Sequence, residues 1–86
     1  MISFEFTVQD PVGIHARPAG NLAKYVKEFA DSKITITKGE RCVEVKKLMA
    51  LMSLGVRQGE TVTFSVDGGD EANIAKNLQE YLQENL

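Results

Sequence analysis

The chain carries a single histidine, His15, inside Gly13-Ile14-His15-Ala16-Arg17-Pro18. Pro18 suits the first turn of a helix, where a missing N–H costs nothing and the fixed φ is already helical. The same ring disfavours α geometry at Arg17, which predicts Arg17 at the helix boundary rather than inside it. His15 and Arg17 therefore both fall at a helix entry. Unpaired backbone N–H groups and the positive end of the macrodipole attract anions there, phosphate above all. An imidazole, with a reference pKa of ~6.5, is largely neutral at physiological pH and competent as a nucleophile. Attack on a phosphoryl group would leave a phosphohistidine, whose charge Arg17 and the free N–H groups could compensate. Gly13, Ala16 and Pro18 are the expected supports of this helix start, and Gly13 lets the backbone turn sharply or approach a neighbour without a Cβ in the way. A nucleophile and an anion cradle, with no metal ligands, base dyad or deep cleft, equip a stoichiometric carrier rather than a turnover enzyme. The plainer alternative is a surface histidine or local cap, since an anion site alone does not establish covalent chemistry.

The elements that must position this segment follow from periodicity. Ile2, Phe4, Phe6 and Val8 alternate with polar residues, as in a strand buried on one face. Asp10-Pro11-Val12-Gly13 is a turn or loop, with Asp10 a turn residue rather than a general base. From Pro18, the positions Ala19, Leu22, Ala23, Val26 and Phe29 with Ala30 mark an amphipathic helix. Ile34 and Ile36, then Val43 and Val45, read as a hairpin broken at Gly39. Leu48 to Leu54 form a short apolar helix stopped by Gly55, and Val62, Phe64 and Val66 a fourth strand. Asp70 can cap a last helix marked by Ile74, Ala75, Leu78, Tyr81 and Leu82. The order β-α-β-β-α-β-α, with one polar face on every strand, predicts an α+β open-faced sandwich of antiparallel strands covered by helices on one side.

Composition narrows the function classes. With 86 residues, 43% of them hydrophobic, the expectation is one domain spanning 1–86, too small for separate cofactor and substrate lobes. No apolar run approaches the ~20 residues a membrane span needs, so no membrane insertion is expected. The first strand begins almost at Met1, so no secretory leader is expected, and one cysteine, Cys42, fits a reducing cytoplasm. Without a Cys/His cluster neither a metal nor another cofactor is expected. Residues 1–57 hold nine basic and six acidic side chains, and residues 58–86 one basic and six acidic. That division does not suit nucleic-acid binding; it suits a basic face meeting an acidic partner, or merely two solvated faces.

The stretch Gly13-Ile14-His15-Ala16-Arg17-Pro18-Ala19 resembles the active-site signature of HPr, the histidine-containing phosphocarrier family of the bacterial phosphoenolpyruvate:sugar phosphotransferase system. Leu48-Met49-Ala50-Leu51-Met52-Ser53-Leu54-Gly55, followed by Gly59, is similar to the family's short-helix segment, and the likeness extends over the whole chain. The resemblance implies that His15 accepts a phosphoryl group on Nδ1 from phosphorylated enzyme I and passes it to an EIIA domain. It implies that Arg17 pairs with the phosphoryl oxygens and that the sheet has the order 1-4-2-3. Many members from Gram-positive bacteria carry a regulatory serine at the start of the short helix. Lys47 stands at that position here, so no seryl switch is expected.

A carrier meets two partners in turn, which calls for an adaptable surface. Arg17, Gly20, Lys24 and Lys27 recur at spacings of three and four, a basic line running away from His15. On the short helix, Leu51 and Leu54 are expected to face inward and Leu48, Met49 and Met52 outward. Together with Lys47 they make an apolar patch ringed by cations, although Met49 and Met52 serve equally well as core filler. The chain is expected to be a monomer making transient contacts. The competing readings are a non-covalent adaptor on the same fold, a carrier for a nitrogen-regulatory or dihydroxyacetone-kinase branch, and a small hydrolase of the acylphosphatase sort.

Overall fold

Alternating apolar residues on four strands need a cover, and three helices supply it from one side. The computed structural model describes residues 1–86 and runs β1 (Ile2–Thr7), α1 (Ala16–Val26), β2 (Lys33–Lys38), β3 (Arg41–Glu44), α2 (Leu48–Ser53), β4 (Thr61–Asp67) and α3 (Glu71–Asn85). The strands form one sheet in the order β1-β4-β2-β3, every neighbouring pair antiparallel. Phe64 sits opposite Phe4 on one side and Ile36 on the other, at the middle of the covered face. Against it pack Leu22, Leu78 and Leu82, all fully buried, and burial of each such side chain contributes about 1.5–3 kcal/mol. The opposite face is polar, and its hydroxyls pair across strands, Ser3 with Ser65 and Thr7 with Thr61, each at 2.8 Å.

The sheet edge departs from the sequence expectation. Val62, Phe64 and Val66 on central β4 are sealed, whereas Ile2, Phe4 and Phe6 on β1 are only half-buried. An edge strand has a neighbour on one side only, and its inward face is covered to that extent.

Helix boundaries also shift. α1 begins at Ala16, so Arg17 lies inside its first turn rather than at the boundary. Pro18 itself is tolerated there because it falls in the first turn, where no N–H is required. At its other end α1 stops at Val26, and three successive i to i−3 bonds, from Lys27, Glu28 and Phe29, tighten the chain. That tightening rotates the stripe. Phe29 still packs against the core, but Ala30 is exposed and not part of the helix. Val8 and Val45 lie just past their strands yet are fully buried, Val45 N–H donating to Ile34 O at 3.0 Å. Leu54 caps α2 rather than extending it, and Gly55 follows with φ +62, a conformation glycine adopts without a Cβ penalty.

Candidate functional site

The loop before α1 is held by backbone bonds before any side chain takes part. Asp10 accepts the Val12 N–H on Oδ1 at 2.9 Å and the Gly13 N–H on its carbonyl at 2.9 Å, confirming it as a turn residue. Gly13 then takes φ +78 and presses on the segment after α2. A Cβ there would run into the Val56 carbonyl and lie 2.8 Å from Arg57 Cα. The close approach that glycine permits is thus to the chain's own backbone. Ile14 donates to Val56 O at 3.0 Å and buries its side chain in the core. With Ile14 facing in, the next residue faces out.

That residue, His15, is the N-cap of α1, extended at φ −104 and ψ −173, and half-buried. Its carbonyl takes the Ala19 N–H at 2.8 Å, but its ring caps no backbone N–H. No acidic residue stands in the first turn, and Pro18 has no N–H, so the Ala16 and Arg17 amides are the open donors beside the imidazole. Arg17 is exposed. His15, Arg17 and Pro18 line a shallow hollow of about 210 Å³ with Asp10, Asn21, Tyr81 and Asn85.

Asn21, Tyr81 and Asn85 were not singled out by sequence reasoning. Tyr81 and Asn85 come from the far end of α3, and only the apolar stripe through Tyr81 hinted at packing. Tyr81 stacks on Tyr25 of α1, ring centroids 4.2 Å apart and planes 8° from parallel, which fixes the end of α3 beside the helix that begins at His15. Burial pushes the Tyr81 hydroxyl pKa above its ordinary value, as burial does for Tyr25 with help from Glu28, Tyr81 and Glu80, so both stay protonated at neutral pH. Leu86 was also missed. It is buried, and its carbonyl accepts the Gln9 and Asp10 N–H groups at 2.6 and 2.7 Å, tying the chain end to the loop.

The expected docking residues separate in a definite way. Lys24 and Lys27 are exposed, Gly20 is half-buried with open space where a Cβ would be, and Lys27 is the C-cap of α1. On α2, Leu51 and Leu54 are 1% and 6% exposed, whereas Leu48, Met49 and Met52 are 39%, 79% and 38% exposed. The methionines are therefore not core filler. α2 packs beside α1, which brings this apolar face next to the helix of the basic line. Lys47, the N-cap of α2, is exposed but ion-paired to Glu44 at 3.2 Å. That hydrogen bond leads the causes holding the Glu44 carboxyl below the usual range. Lys47 thus adds less net charge to the rim than its type suggests.

The protein is a small four-stranded open sandwich whose single imidazole stands at a helix entry, in a shallow surface hollow rather than a deep cleft. The family model described as the PTS HPr component phosphorylation site matches residues 2–84. The chain is 36% identical over 86 residues to the phosphocarrier protein HPr of Mycoplasma genitalium, covering 99% of this chain and 97% of that protein. It is 39% identical over 80 residues to the phosphocarrier protein HPr of Lysinibacillus sphaericus, covering 93% and 90%. The crystal structure of HPr-C-His from Thermoanaerobacter tengcongensis superposes with a TM-score of 0.90 at 33% identity, covering 99% of this chain and 94% of that one. The chain belongs to the HPr family, the phosphocarrier proteins of the phosphotransferase system, which carry phosphoryl groups rather than turn over a substrate. No helix is long and apolar enough to cross a membrane.

Proposed function

We propose that His15 is the phosphoryl acceptor, taking the group from phosphorylated enzyme I and passing it to an EIIA domain. The carrying observation is the N-cap geometry: the ring stands at the start of α1 without capping it, beside the unused Ala16 and Arg17 N–H groups. A lone pair on the neutral ring, on Nδ1 by the resemblance, attacks phosphorus while the donor's bond to phosphorus breaks and its electron pair leaves with the donor. Onward transfer reverses the roles. The two amides and the Arg17 guanidinium hold the phosphoryl oxygens by charge-assisted hydrogen bonds. Gly13 and Pro18 keep the entry in place.

Arg17, Gly20, Lys24 and Lys27 with Leu48, Met49 and Met52 form the docking surface, with charge steering the encounter and the flexible apolar side chains adapting to each partner. Lys47 occupies the position of the family's regulatory serine, so this carrier escapes seryl regulation. The whole chain, residues 1–86, acts as one cytoplasmic, monomeric carrier domain.

Incubation with phosphoenolpyruvate and enzyme I tests the reading. The protein gains one acid-labile, alkali-stable phosphoryl group by mass, and His15→Ala gains none. A mass that never changes overturns it in favour of a non-covalent adaptor, and release of phosphate without retention in favour of a hydrolase.

A further inference from the structure

α2 is the weakest element by local criteria. It spans six residues, far below the ~12–15 at which even a good isolated helix becomes marginal. Its N-cap, Lys47, makes no capping bond, its first turn has no acidic residue, and Lys46 and Lys47 place cations at the positive end of the dipole. Its last turn holds no basic residue either. Yet α2 presents three of the exposed apolar side chains proposed for docking.

What supports it comes from the β2–β3 hairpin. The strands are joined by the two residues Gly39 and Glu40, and Lys38 faces Arg41 across the register. Both side chains reach the C-terminal end of α2. Arg41 donates from Nη1 to Ser53 O at 2.8 Å and from Nη2 to Ser53 Oγ at 2.9 Å, while Ser53 Oγ donates to Ala50 O at 2.6 Å. Lys38 Nζ donates to Leu54 O at 3.2 Å and Gly55 O at 3.0 Å. Two cations thus meet the negative end of the dipole and satisfy its orphan carbonyls. Lys38 also pairs with Glu60 Oε1 at 3.2 Å, and that oxygen accepts the Arg57 N–H at 2.7 Å. Val56 and Arg57 form the backbone on which Gly13 rests.

We infer that Lys38 and Arg41 are positioning residues for phosphoryl transfer: they clamp the C-terminal end of α2 and so hold the Leu48-Met49-Met52 face in the orientation its partners meet. Neither touches that face or His15. Their effect falls on recognition and leaves the chemistry at the imidazole unchanged. The inference rests on the α2 face being the docking face.

The test measures transfer from phosphorylated enzyme I at varied carrier concentration, for the parent protein, Lys38→Met, Lys38→Arg and Arg41→Gln. Amide hydrogen exchange of Leu51 to Gly55 is followed in each. Lys38→Met, which keeps the stem and removes the charge, should raise the apparent KM for the carrier by about tenfold with the saturating rate held within about twofold. Lys38→Arg, which can still reach both carbonyls, should restore the parent KM. Arg41→Gln should raise KM in the same direction, and being an exposed change it remains informative if Lys38→Met fails to fold. The proposal is overturned if the α2 amides exchange faster while KM stays put, or if the saturating rate falls with KM unchanged. A parent protein that gains no phosphoryl group would instead sink the assignment of His15, so the two failures are told apart.

Discussion

The starts of α1 and α3 solve the same physical problem in opposite ways. Each must dispose of backbone N–H groups that have no partner within the helix. At α3 the chain supplies acceptors: Asp70 takes the Asn73 N–H at 3.5 Å, and Glu71 takes the Gly68 N–H at 2.7 Å and pairs with the Met1 ammonium at 3.0 Å. At α1 the cap is His15, which accepts nothing on its ring; the first turn holds the cation Arg17 and no acidic residue, and Asp10 of the preceding loop shares the hollow. One start is partly closed by the protein's own carboxylates, with its Glu71 and Ala72 amides still without a partner. The other has no carboxylate in its first turn, and its Ala16 and Arg17 amides stay open. On the proposed reading, a carboxylate in that first turn would compete with the phosphoryl group for the same N–H groups.

The contrast is sharpest for Arg17→Ala. Phosphoryl transfer should slow by about 10²-fold, the effect of losing one preorganised donor, while stability shifts by less than about 0.5 kcal/mol because the side chain is exposed. Rapid transfer kinetics and urea denaturation on the same sample check both halves, and equal losses in the two would erase the distinction. Gly13→Ala attacks the scaffold of the open start instead. Positive φ at a residue with a Cβ costs about 1–2 kcal/mol, and the new methyl meets backbone at Val56 and Arg57 that cannot swing aside. Urea denaturation should show a loss of at least about 2 kcal/mol, with slower transfer accompanying it.

Asp70→Ala tests the partly closed start. Its capping bond is long, so the expected cost is about 0.5–1 kcal/mol, with transfer to and from His15 unchanged. A change in transfer rate would mean that the two helix starts are coupled. The smallest effect is acid titration of Glu71. Its carboxyl is held below the usual carboxylate range first by the Gly68 N–H and then by the terminal ammonium. A lowered folded pKa means that its contribution is complete above about pH 4.5 and lost as pH falls through the folded value. Melting temperature should therefore drop less steeply with acid in Glu71→Gln than in the parent, Glu60 and Glu44 supplying the remaining dependence through their own lowered pKa values.

Much of this was legible in one dimension because the signals are local. Period-two and period-3.6 stripes of apolar residues need no knowledge of the partner surface to announce strand or helix, and the order β-α-β-β-α-β-α follows from them. His15 and Arg17 were legible for the same reason: a proline three residues past a histidine sets a helix entry within one turn of chain. The inward Leu51 and Leu54 also follow from rotation about a single axis, whereas Met49 and Met52, equally suited to core filler, were decided only by packing.

Tertiary structure alone decided what depends on residues far apart in the chain. No local pattern says that Tyr81 and Asn85 share a hollow with His15, since α3 reaches it only by crossing the sheet and stacking on Tyr25. Nothing near Gly13 shows that its missing Cβ makes room for Val56 and Arg57, nor anything near α2 that Lys38 and Arg41 terminate it. Periodicity reports which face of an element is apolar. Which neighbour that face meets, and which distant cation finishes a helix, is settled by packing all the elements at once.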